Sequence, residues 1–175
     1  MILGIDPGFS KTGWSVADMA SRKILQCGII VTKPDKGKPK YLDNRHRILN
    51  LYNAIDDVCY TWQACNPVLE AKSGSKSAMA ATHMAMAQAA IISAIGAGVQ
   101  LITPIAVRNA MLGGKKGKQA TVDCVLANFD CKELVENATR MAVNSVAKSY
   151  TEHIYDSILI AMAWAKIHNG EQFDE

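Results

Sequence analysis

The chain has 175 residues, of which 49% are hydrophobic and 20% are charged, so its composition is that of a globular protein and excludes a disordered or fibrous one. This length corresponds to one domain, which we expect to span residues 1–175. The net charge of +3 is too small to identify a nucleic-acid-binding protein by itself.

The cysteines and the first residues indicate an intracellular protein. Five cysteines, none of them in a C-x-x-C pair, predict neither a disulfide framework nor a zinc knuckle. Asp6 comes too early for a secretory signal peptide. We therefore expect reduced thiols and a location in the cytoplasm, with an organellar matrix as the alternative.

Three apolar segments at the start of the chain predict an antiparallel meander. The first ends at Asp6-Pro7-Gly8, a strong turn signal. The other segments alternate or are rich in β-branched residues and are separated by short polar turns. The predicted strands are residues 2–5, 14–17 and 24–32, with turns near 11–13 and 20–23.

Helical and extended patterns alternate through the rest of the chain. They predict helices near 41–64, 78–95, 118–128 and 152–167, strands at 67–69 and 99–102, a short helix after Pro104, and a partly helical segment over 130–151. The result is an α/β fold whose five-stranded sheet mixes antiparallel and parallel strands and is flanked by helices. Ligands are expected at the carboxyl ends of the parallel strands.

The stretch between Lys76 and Arg108 contains no Asp, Glu, Lys or Arg and is long enough to cross a bilayer. Alanine dominates it, and Gly96 and Gly98 interrupt it, so its transfer into lipid is poorly favoured. A core helix followed by a strand explains it better, and we expect no membrane partner.

Two segments are rich in basic side chains. Eight lysines and arginines stand between Arg22 and Arg47, against only Asp35 and Asp43, which makes this segment a candidate polyanion-facing arm. The second segment is a glycine-rich loop that contains Lys115, Lys116 and Lys118. Either segment alone is also compatible with a solvated surface.

Asp6 and Glu70 each follow a short apolar strand, a costly place for a carboxylate. If these strands are neighbours, both side chains enter one crevice, where divalent cations, which prefer oxygen ligands, would relieve their repulsion. Mg²⁺ is the natural candidate. The alternative is that Asp6 only starts a turn and that Glu70 is an exposed strand end.

His153 and Asp156 lie three residues apart on the last predicted helix, so they share one face. Together with Asp6 and Glu70 they could hold two metal ions, which activate a water molecule and stabilise the leaving oxygen of a phosphodiester. Alternatively, Glu152 and Asp156 are acidic residues that stabilise a helix amino terminus through the helix dipole.

The order of these motifs resembles that of RuvC-type Holliday-junction resolvases, over nearly the whole chain. The matching residues are Ile2 to Gly8, Thr12-Gly13-Trp14, Val68-Leu69-Glu70, and His153 to Ser157, the last in the histidine variant of the family pattern. The resemblance implies an RNase H-like fold, a homodimer, a site with two Mg²⁺ or Mn²⁺ ions, and paired symmetric nicks in four-way DNA junctions.

The resemblance also assigns further roles. Lys118 is similar in position to a family lysine that assists at the scissile phosphate, although Lys115 and Lys116 could serve equally. The helix over 78–95 corresponds to the dimer face of the family.

One family feature is missing from this chain. In place of the aromatic residue that follows the glutamate in the family, it has Ala71-Lys72-Ser73-Gly74. Phe9 and Trp14 are the nearest aromatic residues in sequence, and Trp14 fits the core better. We therefore expect another residue, or none, to open the junction.

Three alternatives remain open. Gly4 to Gly8 with Thr12-Gly13 is also similar to the phosphate loop of actin-like and sugar-kinase ATPases, but those enzymes use two such domains and we find no second phosphate loop or Walker A motif. No nucleotide cofactor is therefore expected. The others are a non-catalytic junction-binding protein and an RNase H-like nuclease that acts on RNA or other branched DNA.

Overall fold

The computed structural model describes residues 1–63, 65–72, 77–113, 115, 117–143 and 147–173. Five strands and six helices are present in these ranges. In chain order they are β1 (Ile2–Asp6), β2 (Lys11–Asp18), β3 (Lys23–Val31), α1 (Lys40–Thr61), β4 (Asn66–Glu70), α2 (Ala78–Ile95), β5 (Gln100–Ile102), α3 (Pro104–Met111), α4 (Lys118–Asn128), α5 (Lys132–Val143) and α6 (Lys148–Asn169).

The strands form one mixed sheet in the order β3-β2-β1-β4-β5. The pairs β1–β2 and β2–β3 are antiparallel, whereas β4 pairs in parallel with β1 and with β5. The predicted meander, the mixed sheet and the flanking helices are therefore confirmed. The carboxyl ends of β1 and β4 lie side by side.

The two faces of the sheet are covered by separate cores. Alternate residues of a strand point to opposite faces, and in β1 the side chains of Leu3 and Ile5 pack with α1 and α2, whereas Ile2 packs with α6. Helices α3, α4 and α5 cover the remaining sides of α6. Because α6 is enclosed all round, it is apolar on nearly every face, as the sequence indicates.

Helix α2 is the crossover that connects β4 to its parallel neighbour β5. It is long and apolar enough to cross a membrane by length and composition alone, and only 17% of that window is buried. Both of its ends return to the same sheet, and Ala87, Ala90 and Ile91 pack into the core on that face. This position in the fold accounts for its length and for part of its apolar surface.

The predicted starts of β2 and α6 are wrong. Residues 11–13 were predicted as a turn but form the start of β2, because the turn is completed within residues 7–10. The last helix begins at Lys148, four residues before the predicted start at 152, and the partly helical segment over 130–151 contains α5. The bounds of α2 and α4 are as predicted, and the remaining strand and helix ends differ from the predicted ones by at most three residues.

Two glycines allow α6 to approach the sheet closely. A Cβ atom at Gly4 would lie 2.1 Å from the carbonyl oxygen of Ser157, and one at Gly13 would lie 1.9 Å from the carbonyl oxygen of His153. Such distances are far inside van der Waals contact. Only glycine at positions 4 and 13 lets the backbone of α6 come this close and brings His153 to the end of β1.

Candidate active site

The strand pattern directs Asp6 and Glu70 to the same face of the sheet. In β1 the even-numbered positions face α6, and in β4 Val68 packs on the α6 side while Leu69 packs on the other. The parallel register pairs Gly4 with Val68 and Ile5 with Leu69, so Asp6 and Glu70 follow at adjacent positions. Both carboxylates therefore lie beneath α6, at the carboxyl ends of neighbouring parallel strands.

Asp6 is completely buried, and both of its carboxylate oxygens are engaged. The Nδ1 atom of His153 lies 2.6 Å from Oδ2, and the ammonium group of Lys72 contacts Oδ1. These contacts join the end of β1 to α6 and to the end of β4. The alternative that Asp6 only starts a turn is therefore wrong.

His153 and Asp156 lie in the second and third turns of α6, because the helix starts at Lys148. The favourable effect of the helix dipole is confined to the first turn, so it does not explain Asp156. Ligand atoms of Asp6, His153 and Asp156 all lie within 4.8 Å of one another. Three of the four predicted ligand residues thus converge on one point.

Burial opposes ionisation at this point. It raises the pKa of Asp156 to about 6, and the negative charge of Asp6 contributes in the same direction. Burial also raises the pKa of Glu70, against the opposing effect of Lys72. Glu70 is therefore not an exposed strand end, and both carboxyl groups lie where burial disfavours their charged forms.

Lys72 was not predicted as a site residue, yet it links Asp6 to Glu70. Its Nζ atom contacts Asp6 and lies 3.3 Å from Oε2 of Glu70. Burial disfavours its charge, but Asp6 and Glu70 outweigh that effect, and the pKa of Lys72 is raised. The available sequence signal was its position two residues after Glu70, which continues the same face of the strand.

A groove with a volume of about 410 Å³ opens beside the acidic cluster. Glu70 and Asp156 form its acidic side. Its basic lining residues are Lys72, Arg108, Lys115 and Lys118. Arg108 was also missed, because a single arginine in a short helix carries no sequence signal; α3 brings it to the groove.

Lys118 does not contact the carboxylates of Asp6, Glu70 or Asp156 within the described part of the chain. Its ammonium group instead pairs with Glu152, the neighbour of His153 on α6. The side chain of Lys118 is 65% exposed and lies along the groove, at the first residue of α4. Lys116 of the same basic loop lies outside the described residues.

The turn that follows Asp6 is held by α1 and α2. Arg47 donates to Ser10 Oγ at 2.8 Å and to Thr32 Oγ1 at 3.2 Å, and its guanidinium group lies 4.1 Å from the centre of the Phe9 ring. The Phe9 ring also stacks on His83, with 4.3 Å between the ring centres. These contacts fix the backbone immediately after Asp6.

The same contacts change two predictions. The basic segment from Arg22 to Arg47 is not one polyanion-facing arm, since Arg47 is buried and Arg22 contacts Asn128 and the ring of Phe173. Phe9 is buried in its stack, and Trp14 is partly buried against the α1–α2 core, so neither aromatic ring is free to enter DNA. Ser73 and Gly74 lie outside the described residues.

Comparisons with known proteins find a matching family, related sequences and a related fold. A family model described as crossover junction endodeoxyribonuclease RuvC matches residues 2–162. The RuvC proteins of Rhizobium leguminosarum bv. trifolii and Rhizobium rhizogenes are 25% and 26% identical over 130 residues, 71% of this chain and 73% of each relative. The solved structure of Thermus thermophilus RuvC in complex with Holliday junction substrate superposes with a TM-score of 0.65, at 16% identity and over 95% of both chains. Its likeness shows that the fold is RNase H-like.

Proposed function

The chain belongs to the RuvC family of crossover junction endodeoxyribonucleases, and we propose that it resolves four-way DNA junctions by hydrolysing phosphodiesters at the acidic cluster. Family membership makes the protein a DNA endonuclease of the Holliday-junction type. The proposal assigns this activity to particular residues. The observation that carries it is the convergence of Asp6, His153 and Asp156 within 4.8 Å, beside Glu70.

The donor set fits a hard divalent cation. Carboxylate oxygens are the ligands that Mg²⁺ and Mn²⁺ prefer, and one imidazole is compatible with Mn²⁺ as well. Burial and, to a smaller extent, the charge of Asp6 raise the pKa values of Asp156 and Glu70, and divalent cations bound there would stabilise the charged carboxylates. Asp6, Glu70, His153 and Asp156 would hold the metal, and we propose two ions per site. Bound there, they supply activated water and stabilisation of the leaving oxygen.

The residues of the chain position the substrate. The groove lined by Arg108, Lys115 and Lys118 leads to the acidic cluster, and phosphate contacts of this kind fix the register of a strand without reading its sequence. Lys118 is proposed to contact the scissile phosphate, with Glu152 holding its ammonium group at the edge of the groove. His153 either completes the metal site or handles protons, since its ring already contacts Asp6.

We propose that the protein acts as a homodimer through α2. Only three residues of this helix are buried although it carries no Asp, Glu, Lys or Arg, and its exposed positions include Ala81, Ala85, Ala89 and Ile92. Small side chains at spacings of three and four residues allow a second helix to approach closely. A dimer of this kind would present two acidic clusters to one junction, as paired nicks require.

The direct test is cleavage of a labelled synthetic four-way junction and of a matched linear duplex, with Mg²⁺ and with a chelator. The wild-type protein should nick the junction in pairs and only with metal. Asp6→Asn and Glu70→Gln should reduce the cleavage rate by at least about a hundredfold, a usual loss for a group that stabilises the transition state. Junction binding in Ca²⁺ should remain, because phosphate contacts dominate affinity.

Asp57→Asn is a matched control, since Asp57 is an exposed carboxylate on α1. It should cleave like the wild type. Full activity of Asp6→Asn would overturn the assignment of the site. Junction binding without cleavage by the wild type under any divalent metal would favour a non-catalytic junction-binding protein, and cleavage of RNA or of other branched DNA in preference to the junction would change the substrate.

A further inference from the structure

The ammonium group of Lys72 is a positive charge in direct contact with the acidic cluster. Its ammonium group bridges Asp6 on β1 and Glu70 on β4, and the charge of Asp156 acts on it as well. The side chain is only 30% exposed. The two bridged carboxylates are the ones that the proposed function assigns to metal binding.

The backbone of Lys72 is fixed, so its ammonium group is tethered close to the cluster. The N–H of Lys72 donates to the carbonyl of Glu70 at 3.0 Å, and its carbonyl accepts from Nε2 of Gln88 on α2 at 2.8 Å. The preceding residue, Ala71, donates to Ile102 on β5 at 2.8 Å. Only the side chain of Lys72 is therefore free to change its position.

An ammonium group and a divalent ion at the same carboxylates repel each other, so the contact of Lys72 with Asp6 and Glu70 opposes metal binding there. A lysine ammonium is a compact, strongly solvated point charge that contacts carboxylates without a fixed geometry, whereas a divalent ion coordinates them directly. On the basis of the proposed metal site, we propose that Lys72 is a tethered cation that competes with the divalent metal for Asp6 and Glu70. Metal loading then requires the ammonium group to leave both carboxylates.

The displaced side chain has an alternative partner in the groove. Lys72 lines this groove together with Arg108 and Lys118, on the side where a phosphate backbone would lie. A DNA phosphate would therefore stabilise the position of Lys72 that leaves the carboxylates free. Because such coupling is reciprocal, junction DNA should tighten metal binding, and metal should tighten junction binding. Lys72 thus links metal loading to the presence of substrate.

The test is direct measurement of Mn²⁺ binding by electron paramagnetic resonance and calorimetry, without any assay of cleavage. Lys72→Met removes the competing charge and should bind Mn²⁺ at least about tenfold more tightly than the wild type, as expected for loss of a cation within contact distance. Lys115→Met removes a positive charge from the same groove but not from the carboxylates, and should change the affinity by less than about threefold.

Junction DNA distinguishes competition from a simple charge effect. Addition of a non-cleavable junction should raise the Mn²⁺ affinity of the wild type severalfold and that of Lys72→Met much less. A second measurement does not depend on a variant: the acylation rate of the Lys72 amine, followed by mass spectrometry, should rise when Mg²⁺ is added to the wild type. The thermal transition of Lys72→Met would establish that the variant is folded.

The proposed competition would be overturned if folded Lys72→Met bound Mn²⁺ no more tightly than the wild type. It would also be overturned if Mg²⁺ did not change the acylation rate of Lys72. Failure of the metal site itself has a different signature. Asp6→Asn would then bind Mn²⁺ as tightly as the wild type, whereas the proposed function requires this variant to lose affinity.

Discussion

Helices α6 and α2 are both long and largely apolar, yet they occupy opposite faces of the sheet in different ways. Nearly every residue of α6 between Ile154 and Ala165 is buried, whereas in α2 only Ala87, Ala90 and Ile91 are. The sheet, α3, α4 and α5 enclose α6. α2 packs with α1 and with the apolar side chains of β1 and β4 on one side and leaves its other side exposed.

Apolar composition therefore has two distinct uses in this fold. In α6 the apolar residues fill the interior, and the half-buried side chains of His153 and Asp156 lie beside Asp6 of β1. In α2 such residues leave an apolar surface for which a second copy of the chain is the proposed partner. The proposed catalytic residues are therefore on the enclosed helix, and the proposed dimer surface is on the open one.

The largest expected effect comes from separating α6 from the sheet. Gly13→Ala would place a Cβ atom 1.9 Å from the carbonyl oxygen of His153, so the helix would have to move. We expect a loss of about 3 kcal/mol or more of unfolding free energy, a transition roughly 6 to 12 °C lower, and little cleavage.

Calorimetry and the junction assay test this prediction together. Gly98→Ala is the control, because a Cβ at Gly98 meets nothing within 4 Å, and its stability should change by less than about 0.5 kcal/mol. A wild-type transition temperature for Gly13→Ala would mean that the close packing of α6 does not matter.

A charged substitution on the exposed side of α2 should prevent dimer formation without changing the stability of the fold. Ala85 is exposed on α2, so Ala85→Glu should leave the thermal transition nearly unchanged but place two carboxylates in the proposed dimer interface. Sedimentation should then show the mass of one 18.9 kDa chain instead of two. Met141→Glu, at a position on α5 that is 89% exposed, is the control and should remain dimeric. A wild-type protein that sediments as one chain would contradict the assignment of α2 to the dimer.

The smallest effect concerns the charge on the enclosed helix. The pKa of Asp156 in the folded protein is about 6, above its ordinary value of 3.8, so folding favours the protonated form. The stability that this group contributes is complete below its unfolded pKa and is lost as the pH rises through about 6. Asp156→Asn keeps the neutral state at every pH. In a chelator it should be more stable than the wild type at about pH 8, by at most roughly 3 kcal/mol.

The stability advantage of Asp156→Asn should disappear near pH 4. This pH is about two units below the pKa of Asp156 in the folded protein, so the wild-type side chain is largely protonated there as well. Thermal unfolding across this pH range tests the sign. Asp57→Asn, at an exposed position, should show no such dependence. A lower stability of Asp156→Asn at every pH would mean that the carboxylate has a partner that stabilises its charged form.

The amino-acid sequence predicts most of the fold because its signals are local. Alternation with a period of two identifies the strands, and helical spacing together with turn residues identifies the helices, as for α2, whose bounds are confirmed. The start of α6 was placed four residues too late because Lys148 to Thr151 continue the helix with polar residues and without a capping signal. That error made the helix-dipole interpretation of Asp156 tenable until the structure was known.

The candidate site residues could be identified from local sequence patterns, since Asp6 and Glu70 end apolar strands and His153 and Asp156 share a helical face. Which of these groups meet depends on the packing of distant segments. Parallel pairing brings β1 and β4 together, glycines at positions 4 and 13 admit α6, and these contacts bring Asp6 and His153 within 2.6 Å. The proposed role of Lys72 also depends on this packing. Most lysine side chains are solvated, and Lys72 is half-buried here because carboxylates from two neighbouring strands both contact its ammonium group.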